Sequence, residues 1–493
     1  MIPYTRLSTT DRPGSPSLTT TLKTRPKRRR TQSCLAGVGS FIVLSFLTIR
    51  ISMALSGKIT GAYPPTYERL WAYERRLPQH DVNLPPPEGE HGRYVRFANQ
   101  VRQKGWNNVL NEILICSEAA HQAKRSYVFE HFTWLPRHYP WALYPWQRGL
   151  SWGPRTPLSA LIAGPTVGGP WEPDDDAPRS VSVEYWDQVC PPSERHYIPR
   201  TQVMEGLGDK PDGLALFTRL VTLVRDAPGR CVEVGRVGEE PTFDVWLISG
   251  NRSLSLSTQL LDTPSSRLLH ASPLVQGAVV RNEYLFAPRN VQPGMGSERR
   301  YRSAQTAGTP DLYARMMAVH IRRGDFKRAC RYHTNRPDVW YQWNLWPTHP
   351  DKFVPPPGVG GGYASPEAYE IVRKRCYPSP EEITERIREV REDFARAMPR
   401  EGAALDTIHI MSNESPSWIA GLQLALTQEG WETVVSSADL KLDDEQTDVS
   451  MAVDMELGRR AAVFIGNGWS SMTSNIVHQR LVDKRNPYAT RFW

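Results

Sequence analysis

Apolar positions recur at two periods along the chain, and the alternation between them predicts a layered α/β protein. After Gly105-Trp106-Asn107-Asn108, the residues Val109, Leu110, Ile113, Leu114 and Cys116 fall at helical spacing. Tyr127-Val128-Phe129, Arg230-Cys231-Val232-Glu233-Val234 and the stretch 243–248 read as strands. In the second half, Met316–Ile321 is a nearly continuous apolar run, as expected of a buried parallel strand. A long loop is expected over 327–378. Ser379, Pro380 and Glu382 then spell an N-cap with a capping box. Behind it Ile383, Ile387, Val390, Phe394 and Met398 make one apolar helical stripe. Strands expected over 407–411, 433–435 and 462–466 alternate with helices over 418–426, 449–460 and 474–481. Such alternation predicts a doubly wound parallel sheet, with ligands at the carboxyl ends of its strands.

The length of 493 residues exceeds one ordinary core and predicts two domains. The net charge of +8 suggests a nucleic-acid partner until it is located. Residues 1–34 hold Arg6, Arg12, Lys23, Arg25, Lys27, Arg28, Arg29 and Arg30 against Asp11 alone, so the body is almost neutral. A nucleic-acid binder spreads its basic residues over a folded face. Here the basic cluster precedes an apolar run from Leu35 to Ile49, interrupted by Arg50 and continued to Leu55. The whole stretch reaches the ~20 residues that span a bilayer. Arg50 lies near one end, where its side chain can snorkel to the interface. Positive charge on the N-terminal side predicts a cytoplasmic tail and a luminal body. A signal sequence cleaved near Ala54-Leu55-Ser56 is the alternative; the long basic region before the apolar run argues against it.

Cysteine usage fits a lumen. Cys34 falls at the membrane edge and Cys116 at a helical core position. Cys190, Cys231, Cys330 and Cys376 allow three pairings; Cys190–Cys231 with Cys330–Cys376 would give one bridge per domain. Asn251-Arg252-Ser253 and Asn413-Glu414-Ser415 match the glycosylation acceptor pattern. Asn413 stands at an expected strand end, where a glycan would obstruct a cleft, so Asn251 is the expected carrier.

Three motifs sit where this architecture puts a ligand. In His320-Ile321-Arg322-Arg323-Gly324-Asp325-Phe326, two arginines follow a strand and can form bidentate bonds to a diphosphate. Gly324 permits a sharp turn, and Asp325 can hold a guanidinium in place. The bland alternative is a structural Arg–Asp pair closing the strand. In Phe464-Ile465-Gly466-Asn467-Gly468-Trp469-Ser470-Ser471, a strand runs through glycines and hydroxyls into a helix, a cradle for phosphate or else simple N-capping. In Gly105-Trp106-Asn107-Asn108, an amide at a loop-to-helix junction can meet a sugar hydroxyl, though an ordinary cap accounts for it equally well.

Together the three motifs resemble those of the GDP-fucose protein O-fucosyltransferases and related two-Rossmann-domain (GT-B-type) glycosyltransferases, over roughly 95–493. The stretches around 127–134 and 490–493 resemble fungal members. The resemblance implies two Rossmann-like doubly wound domains behind a single N-terminal transmembrane helix. The boundaries expected are a disordered tail over 1–34, an anchor over 35–55, a Pro-rich stem over 56–90, a first domain over 91–305 and a nucleotide-sugar domain over 306–493. It implies that Arg322 holds the departing diphosphate with His320 and Arg323 in support, and that Asp325 orients the arginines. Ser470 and Ser471 would meet the phosphates, Asn107 or Asn108 the donor sugar, and Asn413 would line the donor site.

Two departures stand out. Lys104 occupies the position where some members carry a glutamate base, and Ser412-Asn413-Glu414 stands where an acidic residue often follows the strand. Glu112, one helical turn beyond Asn108, is a substitute base on spacing alone.

Other chemistries lack their signals. Asp174-Asp175-Asp176 sits between prolines with no strand before it and reads as a solvated loop rather than a metal motif. Gly358-Val359-Gly360-Gly361-Gly362 lacks the Lys-Ser/Thr of a P-loop, and no Cys/His spacing suggests zinc. The expectation is a metal-independent, inverting transferase of the Golgi or endoplasmic reticulum membrane, moving fucose from GDP-fucose to a protein or glycan hydroxyl. A catalytically silent binder of nucleotide sugar or glycan, or a membrane-anchored scaffold, is the alternative.

Overall fold

In the computed structural model the apolar run Met316–Ile321 is the central strand of a parallel sheet and is buried along its whole length. The structure describes residues 64–141, 154–248, 250–287, 311–335, 340–359, 365–402 and 404–493. The expected tail and anchor, with Cys34, lie outside these residues. No helix among the described residues is long and apolar enough to cross a membrane.

Two five-stranded parallel sheets organise the body. Counting only their strands, the first contains β1 (Tyr94–Phe97), β2 (Ser126–Phe129), β3 (Val181–Ser182), β4 (Arg195–Ile198) and β5 (Cys231–Val234), in the order β3-β2-β1-β5-β4. The second contains β6 (Met316–Ile321), β7 (Thr407–Ser412), β8 (Thr433–Ser436), β9 (Val463–Gly466) and β10 (Thr490–Phe492), in the order β8-β7-β6-β9-β10. In the second sheet the order reverses between β6 and β9, so topology alone expects a ligand crevice where residues 322 and 467 leave these two strands.

The helices that matter below are α1 (Trp106–Gln122), α2 (Phe326–Thr334), α3 (Pro366–Cys376), α4 (Pro380–Ala397), α5 (Ser450–Arg460) and α6 (Ser471–Val482). Helix α4 starts as its sequence dictates. The Ser379 hydroxyl accepts from the Glu382 N–H, and the Glu382 carboxylate accepts from the Ser379 N–H. Its stripe of Ile383, Ile387, Val390 and Phe394 packs on Met317, Val319, Ile408 and Ile410 of the sheet. Each of those four helix residues contributes about 1.5–3 kcal/mol by leaving water. Disulfides join Cys190 to Cys231 and Cys330 to Cys376.

Two local expectations are corrected. Residues 243–248 form no strand: Asp244 accepts from the Leu247 N–H and starts the short helix Val245–Ile248. The long loop expected over 327–378 contains α2 and α3, clamped together by the second disulfide. The expected Pro-rich stem over 56–90 is, from residue 64 onward, packed on the body. Tyr67 is buried and its hydroxyl donates to Asp448 at 2.8 Å, and buried Gln79 donates to the carbonyls of Gly168 and Ser180.

Candidate functional site

The turn after β6 is built to send its two arginines in opposite directions. Gly324 takes φ +61°, a conformation that a side chain would strain, and the chain turns sharply there. Asn413, just past β7, fixes the turn: its Oδ1 accepts from the Arg323 N–H at 2.9 Å, and its Nδ2 donates to the Arg323 carbonyl at 3.3 Å. The buried Arg323 guanidinium donates to Glu414 at 3.2 Å and to the Pro378 carbonyl at 2.8 Å. It also lies over the rings of Tyr377 and Trp418. Arg322 turns the other way. It is half-buried, pairs with Asp325 at 2.9 Å, and lines a cavity of about 960 Å³. Asp325 is the more exposed of the two, so the pair stands at the cavity edge and leaves Arg322 able to meet a second anion.

Asp325, Arg328, Asn413 and Asp448 share this cavity with Arg322, along with Trp134, Tyr332 and Met451. A space of this size, part apolar and with a few converging polar groups, suits a nucleotide-sized ligand. Arg328 lies on the first turn of α2, is exposed, and has no ion-pair partner among the described residues. The structure therefore brings Arg322, Asp325 and Asn413 together and adds Arg328. Sequence reading passed over Arg328 because its stretch was taken for loop; its place three residues after Asp325 was the available signal.

The other expected residues go elsewhere. His320 is buried, with Nδ1 2.8 Å from the Thr473 hydroxyl. Burial, with Arg322 nearby, lowers its pKa to about 3, so the ring is neutral. Ser470 caps α6 by accepting from the Met472 N–H, and neither Ser470 nor Ser471 lines the cavity. The glycine turn between them and β9 is sealed by the segment 340–345. The Gly468 carbonyl accepts from the Tyr341 N–H and from the Asn344 amide, and a Cβ on Gly468 would overlap the Trp340 ring.

Asn107 and Asn108 join the two halves. Asn475 donates to the Asn107 carbonyl and side chain at 2.9 Å, and Tyr341 donates its hydroxyl to Asn108 at 2.9 Å. Glu112 is buried and accepts from the Val101 N–H; burial raises its pKa to about 8, and it does not line the cavity. In the loop 174–176, Asp175 pairs with His121 at 2.6 Å and Asp176 with Lys124.

Asp448 had no sequence signal as a site residue. In the structure it is 1% exposed and has no cationic partner among the described residues. It accepts from the Tyr67 hydroxyl at 2.8 Å, the Thr156 hydroxyl at 2.6 Å and the Trp141 indole at 3.1 Å. Burial raises its pKa, while the three hydrogen bonds work the other way.

No family model matches the sequence, and no curated protein matches it. Among solved structures, the chain is similar to POFUT1 in complex with GDP-fucose, with 13% identity and a TM-score of 0.45 over 84% of this chain and 99% of that chain. It is also similar to the NodZ alpha-1,6-fucosyltransferase soaked with GDP-fucose, with 12% identity and a TM-score of 0.32 over 78% of this chain and 91% of that one. A mutant of Arabidopsis thaliana FUT1 in complex with GDP aligns with 12% identity and a TM-score of 0.30, over 87% of this chain and 81% of that one.

Proposed function

We propose that this chain is a glycosyltransferase that takes a nucleotide diphosphate sugar, GDP-fucose first among the candidates, and transfers the sugar with inversion to a hydroxyl of a protein or glycan. The observation that carries the reading is Arg322, held by Asp325 at the carboxyl end of the central strand and facing a nucleotide-sized cavity at the carboxyl edge of a parallel sheet. When the bond between the sugar and the diphosphate breaks, negative charge grows on the phosphate oxygen. A guanidinium already fixed in place stabilises that charge with little rearrangement. Arg328 supplies a second cation in the same cavity. In this reading no metal is assigned, and residues 35–55 anchor a luminal body in the Golgi or endoplasmic reticulum membrane. The two disulfides support an oxidising compartment.

A second reading has its own observation. The glycine turn 466–470 is filled by Trp340 and its neighbours, and Asn107 and Asn108 are spent on packing, which favours a protein that binds nucleotide sugar or glycan without turnover. GDP release by the purified full-length chain, measured over several nucleotide sugars beside calorimetric GDP binding, separates the two. Release selective for one donor supports the transferase, and binding without release supports the silent binder. Neither binding nor release would refute both.

A further inference from the structure

An inverting transfer needs two things that the first reading leaves half assigned: a group that stabilises the leaving diphosphate, and a base that takes the proton of the attacking hydroxyl. Among the described residues the cavity offers two carboxylates, Asp325 and Asp448. Asp325 is tied to Arg322 at 2.9 Å, and protonating it would loosen the guanidinium that the leaving group requires. Other carboxylates suggested by sequence or burial are committed elsewhere. Glu112 holds the Val101 N–H in the first half, Glu414 pairs with Arg323, and Asp454 is held by His409 and Ser437; none lines the cavity.

Asp448 differs from all of these in that its partners among the described residues are neutral. Their arrangement fixes the direction of each proton. The Trp134 indole can only donate, and it donates to the Thr156 hydroxyl at 2.9 Å, so the Thr156 proton is turned toward Asp448 at 2.6 Å. The Tyr67 hydroxyl donates to the same oxygen, Oδ2. Among the described residues the other oxygen, Oδ1, receives only the Trp141 indole. A carboxylate accepts about four hydrogen bonds, so one acceptor position remains, on Oδ1. Trp134 and Asp448 both line the cavity that holds Arg322, and they reach it from different elements than Arg322 does.

We propose that Asp448 is the general base of the transfer, an assignment that rests on the transferase reading above. The acceptor O–H bond breaks and its proton passes to Asp448 Oδ1. The oxygen uses the freed electron pair to bond the sugar's C1. The bond from C1 to the diphosphate oxygen breaks, and its pair stays on the diphosphate, which Arg322 meets. Trp134, Thr156, Tyr67 and Trp141 are positioning residues that hold the carboxylate in one orientation. Around Asp448 the titratable neighbours are Tyr67 and Tyr139 from the first half and Glu445 from the helix Asp444–Asp448. Arg322, Asp325, Arg328 and His138 border the same cavity.

The test uses the full-length protein with GDP-fucose as donor and water as acceptor. It reads GDP release against pH, with calorimetric GDP affinity and melting temperature measured on the same preparations. The wild type is expected to lose turnover on the acidic side as Asp448 takes up a proton. D448N is expected to bind GDP within about twofold of the wild type, to release it about 10²–10⁴-fold more slowly, and to lose the acidic limb of the profile. Y67F and T156V each remove a hydrogen bond that favours the carboxylate, so each is expected to shift the acidic limb to higher pH with GDP affinity unchanged.

If D448N fails to fold, the limb shifts of Y67F and T156V decide the matter. A purely structural role predicts lower melting temperatures with the limb unmoved, and that result overturns the assignment. D448N turning over at the wild-type rate overturns it as well. A wild type that neither binds GDP nor releases it from GDP-fucose sinks the transferase reading and this inference with it, whereas an active wild type with an unaffected D448N sinks this inference alone.

Discussion

Two turns leave neighbouring strands of the same sheet, and their sequences promise the same chemistry. After β6, Arg322-Arg323-Gly324-Asp325 opens onto a cavity of about 960 Å³ with one guanidinium directed into it. After β9, Gly466-Asn467-Gly468-Trp469-Ser470 is buried throughout. Gly468 admits the Trp340 ring and its carbonyl accepts from Tyr341 and Asn344. Both turns supply glycine and polar groups at the carboxyl edge. What separates them is what lies on top: residues 340–345 cover the second turn, while the first turn is left open. Glycine serves opposite ends in the two places, a left-handed backbone at Gly324 and a close approach of an indole at Gly468. A motif at a strand end is therefore a licence for a site, and the covering segment decides whether one exists.

The comparison can be broken at several points. The largest effect on stability is expected from Arg323→Ala, which strands Glu414 and removes the bond to the Pro378 carbonyl. A loss of about 3 kcal/mol should appear in denaturant unfolding, and an unchanged midpoint would mean that Arg323 is not the inward member of the pair. Gly468→Ala comes next, costing about 1–3 kcal/mol by overpacking against Trp340. If that variant instead melts normally, the second turn is not closed. Glu112 sharpens the contrast between buried and open carboxyl groups. Its pKa is raised by burial to about 8, so the folded state holds a proton that the unfolded chain has already lost. Stability from this group is full below about pH 4.5 and falls as pH rises toward 8. Glu112→Gln should flatten that part of a melting-temperature profile between pH 5 and 8. The smallest effect concerns Asn413, whose amide is bonded both ways to the Arg323 backbone. Glycopeptide mapping should find it unmodified and find any glycan on exposed Asn251. Occupancy of Asn413 would show that the first turn can be released.

The fold was legible where burial was strong on one clear period. The stripe of α4, its capping box and the buried run of β6 all read directly from sequence. β3 and β4 did not, because β3 spans only Val181–Ser182 and β4 is the half-buried edge sequence Arg-His-Tyr-Ile. Helix α2 was hidden by its composition: five of its nine residues are polar or charged, with only Cys330 and Thr334 buried, and it is bridged to α3 through Cys376. In the site, the pair Arg322-Arg323 was legible but its division of labour was not, since Asn413, ninety residues on, sets which guanidinium turns inward. Asp448 was illegible for the same kind of reason. Its partners, Tyr67, Trp141 and Thr156, are hundreds of residues away, and no local pattern marks a carboxylate whose environment is assembled from three distant segments.

The central claim is that Arg322 stabilises a leaving diphosphate while Arg323 holds the turn. GDP release from GDP-fucose, measured for the full-length wild type, Arg322→Ala and Arg322→Lys beside their melting temperatures, tests it most directly. A single fixed donor to a developing anion is typically worth ~10²–10³ in rate, and lysine lacks the planar fork. Arg322 and Asp325 form a partly exposed pair, worth at most about 1 kcal/mol to the fold. Both variants should therefore melt close to the wild type and release GDP at least about a hundredfold more slowly. A well-folded Arg322→Ala protein with unchanged GDP release would contradict the account.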